Sequence, residues 1–236
     1  MSSDGAPARV RLNRDRVLGA AVELADREGI DAVSMRRLAE RLGVVPMALY
    51  KHVANKEQLL DGMIDAVVAG IDPPAGTGDW RQAVRARVLS ARDNLLRHPW
   101  APHVIETRTQ ASPIVLAHMD ALIAAFLAGG LSADLTHHAM HALGSRMWGF
   151  TQEVFPTPPP PDDPALREQM FREVAARFPH IVEIATAGAH DPASAVGSTC
   201  DDQFEFEFAL DLFLDGVERL HARGWTSAGR AGQSPM

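Results

Sequence analysis

Apolar residues recur along this chain at intervals of three and four, and no segment keeps the strict alternation of a half-buried strand. The pattern therefore predicts helices almost throughout. Asn13 precedes a stretch in which Val17, Ala20, Ala21 and Leu24 share one face; it supplies a cap, and Gly29 a stop, for a first helix. Ser34 caps a short second helix bearing Met35, Leu38, Ala39 and Leu42, and Gly43 ends it. Pro46 stands where the first turn of a third short helix belongs, running to about His52. Asn55, with Gln58 three residues on, reads as a capping box for a fourth helix carrying Leu59, Leu60, Ile64 and Val67. The run from Pro73 to Gly78 breaks that helix and marks the expected boundary between a small head and a larger body.

In the body, Trp80, Val84, Val88, Ala91 and Leu95 define a helix closed by Pro99. A second runs from Pro113 to Ala128, and Ser132 caps a third that extends to about Phe155. Pro156 to Pro164 holds six prolines in nine residues, which predicts a stiff, exposed, polyproline-like connection. Asp163 and Pro164 start a helix ending at Pro179, and a short piece follows from about His180 to Ala187. The last helix begins at Asp202, with Glu205 in the capping-box position, and ends at Gly224. The expected organisation is a head over 12–60, a connecting helix and linker over 61–78, and a body over 79–224. Residues 1–11 and 225–236 read as flexible tails.

Composition narrows the class. With 46% apolar and 22% charged residues, the 236-residue chain has the make-up of a globular protein rather than a disordered one. The longest apolar run, Ala121 to Leu131, covers 11 residues with two glycines, short of the roughly 20 that a membrane helix needs. Met1 to Gly5 carries no apolar signal core. The single Cys200 excludes an intrachain disulfide framework and a cysteine-based zinc site. The chain thus reads as cytoplasmic. Net charge is −7, but it is unevenly spread: residues 1–56 hold ten Lys/Arg against seven Asp/Glu, the remainder thirteen against twenty-three. A basic head on an acidic body suits a DNA-binding module joined to something that does not touch DNA.

The second and third helices, joined by Leu42-Gly43-Val44 with proline opening the third, have the helix-turn-helix pattern, whose second helix lies in the major groove. Leu38, Leu42, Val44, Leu49 and Val53 can close a small core against the first helix, leaving Arg36, Arg37, Met47, Ala48, Lys51 and His52 outward. Pro46, Met47 and Ala48 are small or flexible enough to let the backbone approach base edges. Lys56, at the positive end of the fourth helix, can meet a phosphate.

The stretch from Ser34 to Leu60, with its core Ala-Leu-Tyr-Lys-His-Val-Ala-Asn-Lys-Glu-Gln-Leu-Leu, resembles the DNA-binding signature of the tetracycline-repressor (TetR) family. The likeness covers about residues 12–65 and continues weakly through the body, around Arg97 to Trp100 and Leu210 to Leu220, toward that repressor's type of C-terminal domain. The resemblance implies an all-α homodimer: an N-terminal three-helix helix-turn-helix domain plus a larger helical ligand-binding and dimerisation domain. Such a protein occupies a palindromic operator and leaves it when a small effector enters the body. By position, Ser34, Tyr50 and Lys56 would hold phosphates, while Arg36, Met47, Ala48, Lys51 and His52 would face bases. One departure stands out: Pro46, Met47 and Ala48 offer no side-chain hydrogen bond, so readout leans on thymine methyls and on Arg36, Lys51 or His52. Arg9, Arg11, Arg14 and Arg16 read equally as a DNA-contacting arm or as a solvated tail.

The last helix carries Phe204, Phe206, Phe208, Leu210, Leu212, Phe213, Leu214, Val217 and Leu220, more than one face can hold. This predicts burial on both sides, as in a four-helix bundle formed with a second copy. A pocket for a largely apolar effector is expected among the body helices, with Trp100, His103, Arg108, Phe126, His141, Met147, Trp148 and Glu153 as candidate lining and Trp80, Met119, Met140 and Phe150 nearby. His137 and His141 stand four apart, a spacing that lets two imidazoles share a metal, with His138 beside them. No glutamate completes a His-Glu-x-x-His pattern, and the plainer reading is polar helix positions, so no metal or cofactor is assigned. Gly144 to Glu153 resembles the tetracycline repressor's corresponding helix, whose glutamate helps bind a magnesium-chelated drug. Relative to Thr107 and Arg108, however, His103 falls one residue early for the partnering histidine, which argues against that ligand. No nucleophile–base pair, phosphate-binding glycine loop or paired-carboxylate signature appears, so no enzyme is expected. The expectation is a ligand-responsive repressor. Two alternatives remain: a helical ligand-binding or catalytic protein whose head no longer binds DNA, and an activator using the same contacts.

Overall fold

The computed structural model describes residues 11–71, 79–147, 161–187 and 201–230. Among them the regular structure is helical, with no strand. In order the helices are α1 (Arg14–Glu28), α2 (Met35–Leu42), α3 (Pro46–Leu49), α4 (Lys56–Ala69), α5 (Trp80–Arg97), α6 (Ala101–Glu106), α7 (Pro113–Ala128), α8 (Ala133–Met147), α9 (Pro164–Arg177), α10 (Pro179–Ala187) and α11 (Asp202–Ala222).

The caps explain most boundaries. Asn13 Oδ1 accepts from Arg16 N at 2.8 Å and Ser34 Oγ from Arg37 N at 3.3 Å, each satisfying one of the donors a helix start leaves open. Gly43 ends α2 with φ +65°, a left-handed conformation that a side chain would strain. At α4, Asn55 Oδ1 accepts from Gln58 N at 2.8 Å, and Gln58 Oε1 returns to Ala54 N at 2.6 Å. The expected box is present, but its return bond closes one residue earlier.

Three boundaries differ from the pattern. α3 stops at Leu49, because His52 N donates to Leu49 O at 2.8 Å and tightens the chain into a turn that buries Val53. α6 was not expected: Trp100, its N-terminal flank, makes no side-chain capping bond, and the start signal is Pro102 in the first turn. α11 is capped by Asp201, whose carboxylate accepts from Gln203 N and Phe204 N at 3.0 and 3.1 Å, which leaves Glu205 past the capping-box position. The extension of α8 toward Phe155 and most of the Pro156–Pro164 run lie outside the described residues.

The described helices fall into two compact units. α1 to α8, with the segment from Gly224, form one; α9 to α11 form the other. In the first unit one apolar cluster runs from Val17 through Leu38, Leu49, Val53 and Met63 to Leu95, Trp100 and Val104. The core is therefore continuous across the expected head–body boundary. α4 is its hub, packing on α1, α5, α6 and α7. Gly62 permits the α1–α4 approach: a Cβ there would stand 2.7 Å from Leu18 Cδ2. Asn94, buried on α5, donates to the Val67 carbonyl near the end of α4 and accepts from Arg97. Within residues 225–230, Ser227 N and Oγ donate to the Asp134 carboxylate at 2.6 and 2.8 Å, and Trp225 meets the His138 ring edge-on. In the second unit α9 packs on α10, and Pro179 opens α10 instead of only closing α9. α11 buries Phe206, Leu210, Leu214 and Val217 and leaves Phe204, Phe208 and Leu212 exposed.

Candidate functional site

The head presents a surface built on α2, α3 and the start of α4. Leu38, Ala39, Leu49 and Val53 point into the core, which orients the intervening residues outward. Met47 is 71% exposed; Pro46, Tyr50, Lys51 and Lys56 are exposed as well, while Ser34, Ala48 and His52 are half-buried. Of the α2 arginines, Arg36 is the most open, with a loose Glu40 pair at 3.1 Å and 84% side-chain exposure. Arg37 is turned to Glu28 and Arg41 reaches Glu23 at 2.6 Å, so both brace α2 against α1. Such exposed pairs exchange at little cost, on the order of 1 kcal/mol or less. Lys56 sits in the first turn of α4, where the helix dipole favours an anion. Arg9 lies outside the described residues, and Arg14 is exposed with its guanidinium passing beside Gly62.

Behind this surface α4 continues into the wall of a cavity of about 580 Å³. Ile64, Val68, Ile105, Val115, Leu122 and Leu143 make its apolar walls; Asp61, Asp65, Arg108, Thr109, Gln110, Ser112 and His118 are its polar groups. Arg108 leaves the loop after α6 and donates to Glu57 Oε2 at 2.7 Å and Asp61 Oδ1 at 3.1 Å, both on α4. Partial burial pulls its basicity down, but those hydrogen bonds and charges outweigh it and hold the guanidinium above its ordinary value. His118 goes the other way: burial first, then the nearby Arg87, keeps it below the usual imidazole range. Asp65 Oδ1 is buried with no hydrogen-bond partner among the described residues. An adjoining cavity of about 630 Å³ shares Met119, Met140 and Gly144 and adds Ile123, Thr136, His137 and His141.

Of the pocket residues expected from sequence, Arg108 lines the first cavity and His141 the second. Met119 and Met140 line both. Trp100 is 5% exposed and serves elsewhere: its Nε1 donates to Asp26 Oδ1 at 2.6 Å, tying the α5–α6 junction to α1. Phe126 is fully buried against Trp80, with ring centroids 5.7 Å apart, and His103 is exposed on α6. The Met147 side chain, Trp148, Phe150 and Glu153 lie outside the described residues. What sequence reading missed was the α4 wall, where Asp61 and Asp65, one turn apart inside an apolar helix, were the available signal. His137 and His141 have ring centroids 4.6 Å apart, while His138 approaches Asp134 at 3.7 Å. Among the described residues no group of three His, Cys, Asp or Glu is placed to hold a metal.

A helix-turn-helix head whose last helix forms one wall of a ligand-sized cavity is the architecture of the helical, ligand-binding helix-turn-helix proteins. Comparison with known proteins narrows it. Residues 17–63 match the bacterial regulatory proteins of the tetR family, and residues 72–221 match the tetracyclin repressor-like C-terminal domain. The chain belongs to the TetR family. It is 31% identical over 229 residues to the HTH-type transcriptional repressor DrrR1 of Streptomyces coeruleorubidus, covering 90% of this chain and 79% of that one. It is 38% identical over 142 residues to an HTH-type transcriptional regulator of Saccharopolyspora erythraea, and that stretch spans 55% of this chain and 60% of the relative. Among solved structures, Streptomyces coelicolor ActR in complex with actinorhodin superposes with a TM-score of 0.68 at 25% identity, over 89% of this chain and 98% of that one. No described helix is long and apolar enough to cross a membrane.

Proposed function

We propose that this protein is a transcriptional repressor that binds a palindromic operator as a homodimer and is released when a small, largely apolar effector occupies the 580 Å³ cavity. The carrying observation is α4. Its first residue, Lys56, stands on the head surface, and Asp61, Ile64, Asp65 and Val68 of the same helix line the cavity. At about 1.5 Å per residue, Lys56 and Ile64 are roughly 12 Å apart on one rod. A ligand that displaces the cavity wall therefore displaces the start of α4, which follows α3 after six residues, and Arg108 adds a polar tie between the cavity rim and Glu57, next to Lys56.

On DNA, Ser34, Tyr50 and Lys56 serve phosphates. Arg36, Lys51 and His52 serve base edges, and Met47 and Ala48 serve thymine methyls, with Pro46 setting the backbone. Arg37 joins them by exchanging Glu28 for a phosphate. The exposed stripe Phe204, Phe208 and Leu212 on α11, opposite its buried face, supports pairing with a second copy; a twofold pair places two heads about 34–36 Å apart, one DNA turn. That a relative of 25% identity is known in complex with actinorhodin, and another is named a repressor, supports the same reading.

The test is to select genomic DNA fragments with the purified protein, then measure their affinity across a salt series with and without a bound effector. The reading expects a palindromic site, a steep salt slope, and a loss of affinity of about 5- to 150-fold with effector. Unchanged affinity with a ligand demonstrably bound removes the coupling; a shallow slope and no selected site favour a head that no longer binds DNA.

A further inference from the structure

The charges on the cavity wall do not balance. Asp61 and Asp65 stand one turn apart on α4, and the cavity's single described guanidinium, Arg108, is shared between Asp61 and Glu57. No ion pair to Asp65 is present among the described residues, and its Oδ1 is buried without a hydrogen-bond partner. His118, the other ionisable group on the wall, is no counter-ion: its surroundings, buried and beside Arg87, favour the neutral ring. Two carboxylates against one guanidinium leave the wall net negative. The rest is mostly hydrocarbon, from Ile64, Val68, Val115, Leu122 and Leu143, with the uncharged Thr109, Gln110 and Ser112 of the loop between α6 and α7. Asp61 is more than half exposed, whereas Asp65 is half-buried with its Oδ1 closed off from solvent; there an unpaired carboxylate is costly, and a charged donor brought to it is held more strongly than in water.

We infer that the effector is a lipophilic amine: an apolar, ring-sized body filling the hydrocarbon part of the cavity, with a protonated nitrogen that donates to the Asp65 carboxylate. Asp65 is then the specificity-determining residue of the site. A carboxylic acid of the same shape is rejected, because it meets a second negative charge where it needs a donor. A neutral alcohol is accepted but gains only an ordinary hydrogen bond. The inference rests on reading this cavity as the effector site, and its test separates the two.

Three probes share one ring and differ in charge: naphthylmethylammonium, naphthalenemethanol and naphthoate. Each is titrated calorimetrically into the full-length protein near neutral pH. The expected order is cation, alcohol, anion, with the cation about tenfold tighter than the alcohol, the scale of a hydrogen bond to a charged group. Asp65→Asn is expected to remove the cation's advantage while leaving the alcohol within about twofold; Asp65→Glu is expected to keep the order. Naphthoate binding as well as the cation, or a preference for the cation that survives Asp65→Asn, overturns the assignment. Charge-blind binding of all three overturns it and leaves the effector cavity standing; binding by none overturns both. Should Asp65→Asn fold poorly, the order of the three probes on the unaltered protein still decides.

Discussion

Asp26 offers a direct test of how the head is fastened. One oxygen of its carboxylate, at the C-terminal end of α1, accepts from the Trp100 indole N–H at 2.6 Å and lies 2.8 Å from His98 Nδ1. Trp100 is only 5% exposed, so Asp26→Ala strands a buried donor that water does not readily reach. Hydrogen bonds to charged groups contribute about 1.5–3 kcal/mol. The Asp26 side chain keeps 26% exposure, which moves the expected loss to the lower part of that range, about 2 kcal/mol. For a chain of this size that corresponds to a fall of roughly 4–8 °C in melting temperature. Urea unfolding followed by far-ultraviolet circular dichroism, at one fixed protein concentration, measures it. The control is Trp100→Phe, which keeps an aromatic ring and removes the donor. In that background Asp26→Ala is expected to cost about 1 kcal/mol less, the remainder belonging to His98. A cycle with no coupling, or Asp26→Ala within about 0.5 kcal/mol of the parent, would refute the strut.

Other outcomes follow from the same geometry. Lys56→Ala is expected to weaken all DNA sequences about equally and lower the salt slope by about one unit, whereas Lys51→Ala also relaxes base preference; identical behaviour in a binding series across operator variants would undo that division of roles. Gly43→Ala meets no steric obstacle but forces a side chain into φ +65°, so it should cost about 1–2 kcal/mol in denaturant titrations, and Gly43→Asn less. His118 has its proton affinity lowered in the folded state. The unfolded chain therefore takes up a proton first as pH falls through about 6.5, and stability conferred by the neutral ring is lost below that value. Relative to His118→Gln, the parent should lose stability between about pH 7 and 5; a constant difference across that window would contradict the assignment.

The local part of this fold was written in the sequence. Asn13, Ser34, Gly43, Pro46 and Asn55 act within four residues of themselves, through caps, a left-handed stop and a proline first turn, and the helix-turn-helix followed from them. The exposure of Arg36, Met47, Lys51 and Lys56 was legible for the same reason, because alternation with Leu38, Leu49 and Val53 fixes which way each neighbour faces, whereas Ala48 and His52, expected outward, are half-buried. The cavity was not. Trp100 looked like pocket lining, yet a carboxylate 74 positions earlier claims its indole; Arg108 is set by Glu57 and Asp61, 51 and 47 positions away. α4 looked like a connecting helix and became a wall. Helical periodicity reports which face of a segment is apolar, but says nothing of which partner covers that face. An amphipathic helix gains nearly the same burial against several alternatives, and the choice among them is made only when the elements close on one another and every buried donor and charge must find its match.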